Sequence, residues 1–170
     1  MKRLAFLYLL VIMGAMGGCK PSSTATSPPS APPSAYPTAP QPKLQTIKLW
    51  IGQQEMITEM ALTPVQQETG MMFRTNMAEN EGMIFPFSQP IRADFWMKNT
   101  ILPLSCAYIG PDGTILEIHD MKPQDTNSIV AETSNIQYVL ETRQGWFKRN
   151  NVGVGTVITT EHGPLHQVFR

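Results

Sequence analysis

The sequence predicts a mainly β fold with one or two short helices, arranged as a compact antiparallel β-sandwich or half-open barrel. Three observations carry that expectation. From residue 46 to residue 158, apolar and β-branched residues fall in many short runs, several with two-residue alternation. Turn signals such as Gly52-Gln53-Gln54 and Pro111-Asp112-Gly113 separate them. Only one segment carries a full set of helix-start signals. Many short strands with few helices pack as antiparallel sheets that bury one face against each other.

Thr46 to Ile51 alternates and reads as a strand, and Glu55 to Leu62 returns from the Gly52 turn as its hairpin partner. Thr63-Pro64-Val65-Gln66 is a capping box with proline at the first helical position, which predicts a short helix running on through Gln66 to Met72. Strand-like runs follow at 82–85, 93–97 and Leu104 to Ile109. The Pro111-Asp112-Gly113 turn leads into the alternating run Thr114 to Ile118, a second hairpin. Met121 to Glu132 lacks periodicity and reads as an exposed loop. Ile136 to Glu141 is a strand, Gly145 to Asn150 one or two helical turns, and Val152 to Ile158 a closing strand.

The ends of the chain predict its organisation. Met1-Lys2-Arg3, the apolar run Leu4 to Met16 and Gly17-Gly18 before Cys19 have the layout of a signal peptide over residues 1–18. The apolar stretch is too short to span a bilayer. Small residues directly before a cysteine resemble the lipobox of bacterial lipoproteins, so Cys19 is the expected lipidation site, carrying acyl chains such as palmitate. Two or three chains anchor stably, since each buried CH₂ contributes about 0.8 kcal/mol. Residues 19–43 hold the lipidated cysteine and a disordered Pro/Ser/Ala-rich tether, able to reach roughly 70 Å when extended. Residues 44–170 then form a single globular domain. The expected location is the cell envelope, outside the cytoplasm. Lys20 rather than Asp after the cysteine favours the outer membrane in organisms that have one.

Composition narrows the partners. Removing Lys2 and Arg3 leaves 13 − 2 = 11 basic residues against 13 acidic ones, a nearly neutral chain without a basic stripe. Nucleic acid is therefore not an expected partner. Once Cys19 is acylated, Cys106 has no intramolecular partner, and its apolar run marks it as a core thiol rather than a nucleophile.

Several segments line up together: Gly70-Met71-Met72-Phe73-Arg74, Glu81-Gly82-Met83-Ile84-Phe85, Phe95-Trp96-Met97-Lys98-Asn99-Thr100, Tyr108-Ile109-Gly110-Pro111-Asp112-Gly113, and Tyr138-Val139-Leu140-Glu141 followed by Gly145. In order and spacing they resemble the uncharacterised domain-of-unknown-function family numbered 192. The resemblance implies a compact, mainly β domain, often secreted or membrane-tethered, with no established activity. One departure stands out, because the family pattern usually continues apolar-Pro-Leu-Asp where this chain has Leu102-Pro103-Leu104-Ser105.

The polar residues inside the matching segments are the candidate ligand-binding set: Arg74, Lys98, Asn99, Thr100 and Glu141, with Trp96 beside them. Each stands where a strand or helix hands over to a loop, the usual place for a site on a β frame. Arg74 either neutralises the helix C-terminus or clamps a carboxylate, Glu141 or an anionic ligand. Trp96 is either a core plug or a platform for a sugar ring, with Asn99 beside it as hydrogen-bonding amide or turn residue. Met71, Met72, Met83 and Met97 either fill gaps beneath the helix or converge on copper(I). His119, His162 and His166 are scattered, and no catalytic or phosphate-loop motif is present. Acid pairs such as Glu117 with Asp120, or Glu141 with Asp94, are conceivable acid/base partners.

The resulting expectation is a non-enzymatic binding module for a small polar ligand, sugar-like or anionic, with no cofactor and with the membrane as a partner through its lipid. The alternatives are an envelope enzyme using Glu141 and a copper(I)-binding protein using the four methionines.

Overall fold

A computed structural model describes residues 37–169. The expected signal peptide, the expected lipidation site Cys19 and the expected tether up to residue 36 lie outside the described residues. Residues just before β1 rest on the domain: the Gln41 side-chain amide donates to the carbonyls of Gln66 and Gly70 at 3.1 and 2.9 Å.

Strands β1 (Thr46–Ile51) and β2 (Gln54–Met60) form the expected hairpin, closing at the Ile51–Gln54 pair around Gly52, whose φ of 60° lies in the left-handed region. Helix α1 (Pro64–Thr69) starts at the predicted capping box. The Gln66 amide donates to Thr63 Oγ1 at 3.3 Å, and Thr63 N donates to Gln66 Oε1 at 3.0 Å. The helix stops at Gly70 rather than Met72, because Gly70 turns to positive φ and lets Met71 and Met72 turn inward and become buried.

Strand β3 (Glu81–Ile91) follows and pairs with β2 in parallel. A hairpin cannot make that connection, and the crossover through α1 does. After β4 (Asp94–Phe95) come β5 (Leu104–Ile109), β6 (Ile115–Met121), β7 (Ile129–Val130) and β8 (Ile136–Arg143). The chain ends with α2 (Trp146–Arg149), β9 (Ile158–Thr160), β10 (Gly163–Pro164) and α3 (Leu165–Val168). Eight strands make one sheet in the order β10-β9-β1-β2-β3-β8-β5-β6, while β4 and β7 form a separate two-stranded ribbon. The mainly β architecture is thus the expected one, with a mixed sheet because of the β2–β3 pair.

The sheet is not closed, yet its far ends are stitched together. Ile115 N donates to Thr156 O, Gly155 N to Ile115 O and Ile158 N to Gly113 O, each at 2.9 Å, around a Thr114–Val157 bridge. These contacts explain why 152–157 is not a strand. Its backbone groups serve the β5–β6 turn, Gly155 takes a φ of 89°, and Val154 and Val157 stay exposed.

The central strands are covered on both faces, and all six residues of β5 are buried. Ile84, Ala107, Ile109, Tyr138 and Leu140 face one apolar cluster, completed by Leu49, Met56, Trp146 and Leu165. Met83, Phe85, Cys106, Tyr108 and Val139 face a second, with Met71, Met77, Met97 and Met121. Irregular segments roof this second face. Unbranched thioethers suit such an interface, where side chains arrive from loops rather than from regular rows.

Candidate functional site

Strand β8 directs Glu141 toward the roofed face, in register with Met83 on β3 and Cys106 on β5. The acid is 5% exposed, and its Oε2 makes no hydrogen bond. A buried polar atom without a partner costs about 1–3 kcal/mol, more if charged. The protein lowers that cost by keeping the proton: burial alone pushes the Glu141 carboxyl up to about 8. Burial, reinforced by the Glu141 charge, also holds the facing Cys106 thiol well above its usual range, so it is an inert core thiol.

Glu141 forms part of the lining of a cleft of about 40 Å³ between the roof and the sheet. The C-terminal turn of α1 contributes Gln67, Glu68 and Thr69, and the turn beyond it Met71 and Met72. Phe85, Phe95 and Trp96 supply aromatic walls, and Thr100 the last polar side chain. Phe85 and Phe95 meet edge to face with centroids 5.0 Å apart, which fixes the Phe95 ring. Trp96 is half-buried, so it is no core plug; Trp146 has that role, at 2% exposure. Asn99 holds a φ of 55°, which lets the chain turn between the Trp96 wall and the buried Thr100, and its carbonyl accepts from Phe73 N at 2.8 Å.

Of the sequence-predicted residues, Trp96, Thr100 and Glu141 therefore share one cleft. Lys98 places its ammonium 5.1 Å from the centroid of the Trp96 ring. Asn99 contacts the Met72 sulfur at 4.0 Å. Arg74 stands apart, since its guanidinium clamps Glu59, not Glu141, through bonds of 3.0 and 2.9 Å. Glu59 also accepts from Leu44 N at 2.7 Å, so the pair ties the start of the domain to β2 and the turn beyond α1. The conceived acid pairs do not form either: Glu117 binds His119 at 2.9 Å and Asp120 accepts from Ser105, while Asp94 is exposed and the buried Glu141 leaves its Oε2 without a partner. Among the four methionines, Met71 and Met72 line the cleft, while Met83 and Met97, buried with Met71 in the second apolar cluster, do not reach its lining. No group of three or more His, Cys, Asp or Glu residues suited to a metal occurs among the described residues.

Sequence reasoning missed Glu68, Phe85 and Phe95 as cleft residues. The apolar run Gly82 to Phe85 masked Phe85 as core, and nothing in the local pattern around Glu68 signals which helix face meets the roof. It also missed what stands beside Ser105, where the resembling family usually has Asp. Asp120 is the cross-strand neighbour of Ser105, and the Ser105 hydroxyl bonds that carboxylate while accepting from Gly145 N at 2.8 Å. A carboxylate thus still stands at this point, supplied by the neighbouring strand.

These features define a class: a mixed-sheet β domain with a neutral, buried acid beneath a methionine- and aromatic-rich roof. The chain belongs to the DUF192 family, described as "Uncharacterized ACR", whose profile matches residues 47–160. Solved structures agree. A proposed transcription regulator from Sinorhizobium meliloti 1021 is similar at 34% identity and a TM-score of 0.63, over 68% of this chain and 92% of that one. A protein of unknown function from Novosphingobium aromaticivorans DSM 12444 is similar at 30% identity and a TM-score of 0.63, over 84% of this chain and 99% of that one. No curated protein matches the chain.

Proposed function

We propose that this chain is an envelope lipoprotein, anchored through Cys19, whose DUF192 domain is a non-enzymatic binding module for a small polar ligand held over Glu141. The observation that carries the reading is Oε2 of Glu141, an enclosed oxygen without a partner that helps line a cleft. Buried polar atoms left unpaired cluster where a ligand completes them. Trp96 and Thr100 offer a ring face and a hydroxyl, the complement of a sugar-like group. Glu68 and Glu141 are the acidic residues of the lining, no basic residue lines it, and Arg74 is engaged by Glu59, which favours a hydroxyl-bearing ligand over an anionic one.

A thermal-shift panel of polyols, glycans and anions at neutral pH tests the module. A hit that disappears in Trp96→Ala and Glu141→Leu supports it, and a panel silent on the folded domain counts against it. Cys19→Ala tests the anchor, with release of the protein from the membrane fraction as the expected result. A second reading, an envelope enzyme, draws on the same acid: a carboxyl near 8 is poised for proton transfer at neutral pH. It requires a turnover that Glu141→Gln abolishes while ligand binding persists.

A further inference from the structure

We infer that the group inserted into the Glu141 cleft is a primary ammonium, so that the domain recognises small amine-bearing ligands. This rests on the binding-module reading and specifies the chemistry of its ligand.

The polar side chains of the lining on α1 and after β4 have committed their donors to the backbone. Thr69 already donates its hydroxyl to Val65 O at 2.7 Å, and Thr100 donates to Lys98 O at 3.2 Å. The Gln67 amide donates to Ala61 O at 3.1 Å and Pro86 O at 2.8 Å. What these side chains leave for a ligand is oxygen lone pairs, alongside the Glu68 and Glu141 carboxyls and the Met71 and Met72 thioethers. An ammonium has three donors and no acceptor, which matches such a lining better than a hydroxyl does. The aromatic walls point the same way, because ring faces attract cations. The protein holds its own example in the Lys98 ammonium over the Trp96 ring at 5.1 Å. A cleft of about 40 Å³ admits a single small functional group, with the rest of the ligand outside.

Proton balance follows from the site. The empty cleft holds Glu141 as a neutral acid. When the ammonium enters, the carboxyl proton leaves to solvent and the carboxylate becomes the counter-ion, so one proton is released per ligand bound. The other ionisable groups are the Cys106 thiol facing Glu141 from β5, held protonated, and Glu68 on α1 in the lining, while the Lys98 ammonium lies over the Trp96 wall. From β3, the neighbours Met83 and Phe85 do not titrate.

Calorimetric titration of the folded domain with ethanolamine, and with ethylene glycol as its neutral isostere, tests the inference. The expected result is that ethanolamine binds as the ammonium while the Glu141 proton is released to the buffer, one proton per ligand. Its affinity should rise about tenfold per pH unit from pH 6 toward pH 8. Glu141→Gln should abolish this binding without unfolding the domain, and ethylene glycol should bind at least tenfold more weakly. Free ethanolamine and phosphatidylethanolamine vesicles, read against phosphatidylcholine vesicles, separate a soluble amine from a lipid headgroup as the source. Equal binding of both isosteres without proton release overturns the ammonium assignment and leaves the binding module standing. Silence of ethanolamine alongside a glycan hit in the panel overturns the assignment likewise, and silence of every probe overturns both.

Discussion

Replacing Glu141 by Gln should make the domain more stable at neutral pH, and by an amount that depends on pH in a set way. The amide is a neutral mimic of the protonated acid, so it keeps the packing and removes the titration. In the unfolded chain Glu141 ionises near its ordinary 4.5, whereas in the folded chain burial holds it near 8. Between those values the folded state holds a proton that the unfolded state gives up. Stability is therefore complete below 4.5 and is lost as pH rises toward 8. At pH 7 the interval is 7 − 4.5 = 2.5 units, and at about 1.4 kcal/mol per unit the cost is roughly 3 kcal/mol. For a domain of this size that corresponds to a melting temperature higher by on the order of 10 °C in the variant. Urea denaturation of both proteins at pH 4.5, 6, 7 and 8 measures it. Every other titrating group is common to the two and cancels in the difference. The gap should be near zero at pH 4.5 and widen steadily to pH 8. A gap independent of pH would show that the acid is not desolvated, and a variant less stable at pH 7 would show that Glu141 has a native partner. Either result would sink the reasoning. A residue that weakens the fold and whose removal is tolerated is the pattern expected of a functional group.

Three further perturbations probe the frame that carries the cleft. Arg74→Met strands the Glu59 carboxylate and should cost about 3 kcal/mol in urea denaturation, with the Arg74→Met/Glu59→Leu double variant regaining much of it, because an unpaired charge costs more than a missing pair. Asn99→Gly should leave stability unchanged or slightly improved, while Asn99→Val should lose roughly 1–2 kcal/mol, since the position sits at a φ of 55°. Gly113→Ala should lose at least about 2 kcal/mol: a Cβ there would stand 2.7 Å from the Ile158 carbonyl, at a φ of 87° that side chains disfavour. Equal melting temperatures for Gly113→Ala and the parent would refute the tight stitch between the β5–β6 turn and Ile158.

Local signals carried far in this chain. The capping box placed α1, and Pro111-Asp112-Gly113 placed the β5–β6 hairpin, because both depend on neighbours within four residues. What was hidden depends on contacts distant in sequence. The parallel pairing of β2 with β3 leaves no mark on either strand, since both read as ordinary alternating or apolar runs. Val152 to Ile158 has strand-like residues, yet its backbone is claimed by Gly113 and Ile115, so only Ile158 joins β9. The site was half legible. Trp96, Thr100 and Glu141 stood out as polar or large residues in apolar segments and meet in one cleft. Arg74 stood out equally, but its partner Glu59 lies in an alternating strand where an acid looks like solvent-facing patterning. Sequence shows that a charge is placed oddly. It does not show which opposite charge answers it.

The placement of β1 has a consequence for how the domain assembles. On one side it pairs with β2, its immediate successor, and on the other with β9, where Ile51 meets Ile158 across 158 − 51 = 107 residues. The hairpin half can form within microseconds, but the other half waits for almost the whole chain. Until β9 arrives, β1 presents a bare row of amides and carbonyls open to another chain. The final segment, not the motif-rich middle, therefore decides whether a nascent copy finishes as a monomer or finds a neighbour, and shortening the chain before Ile158 would trap it at that fork.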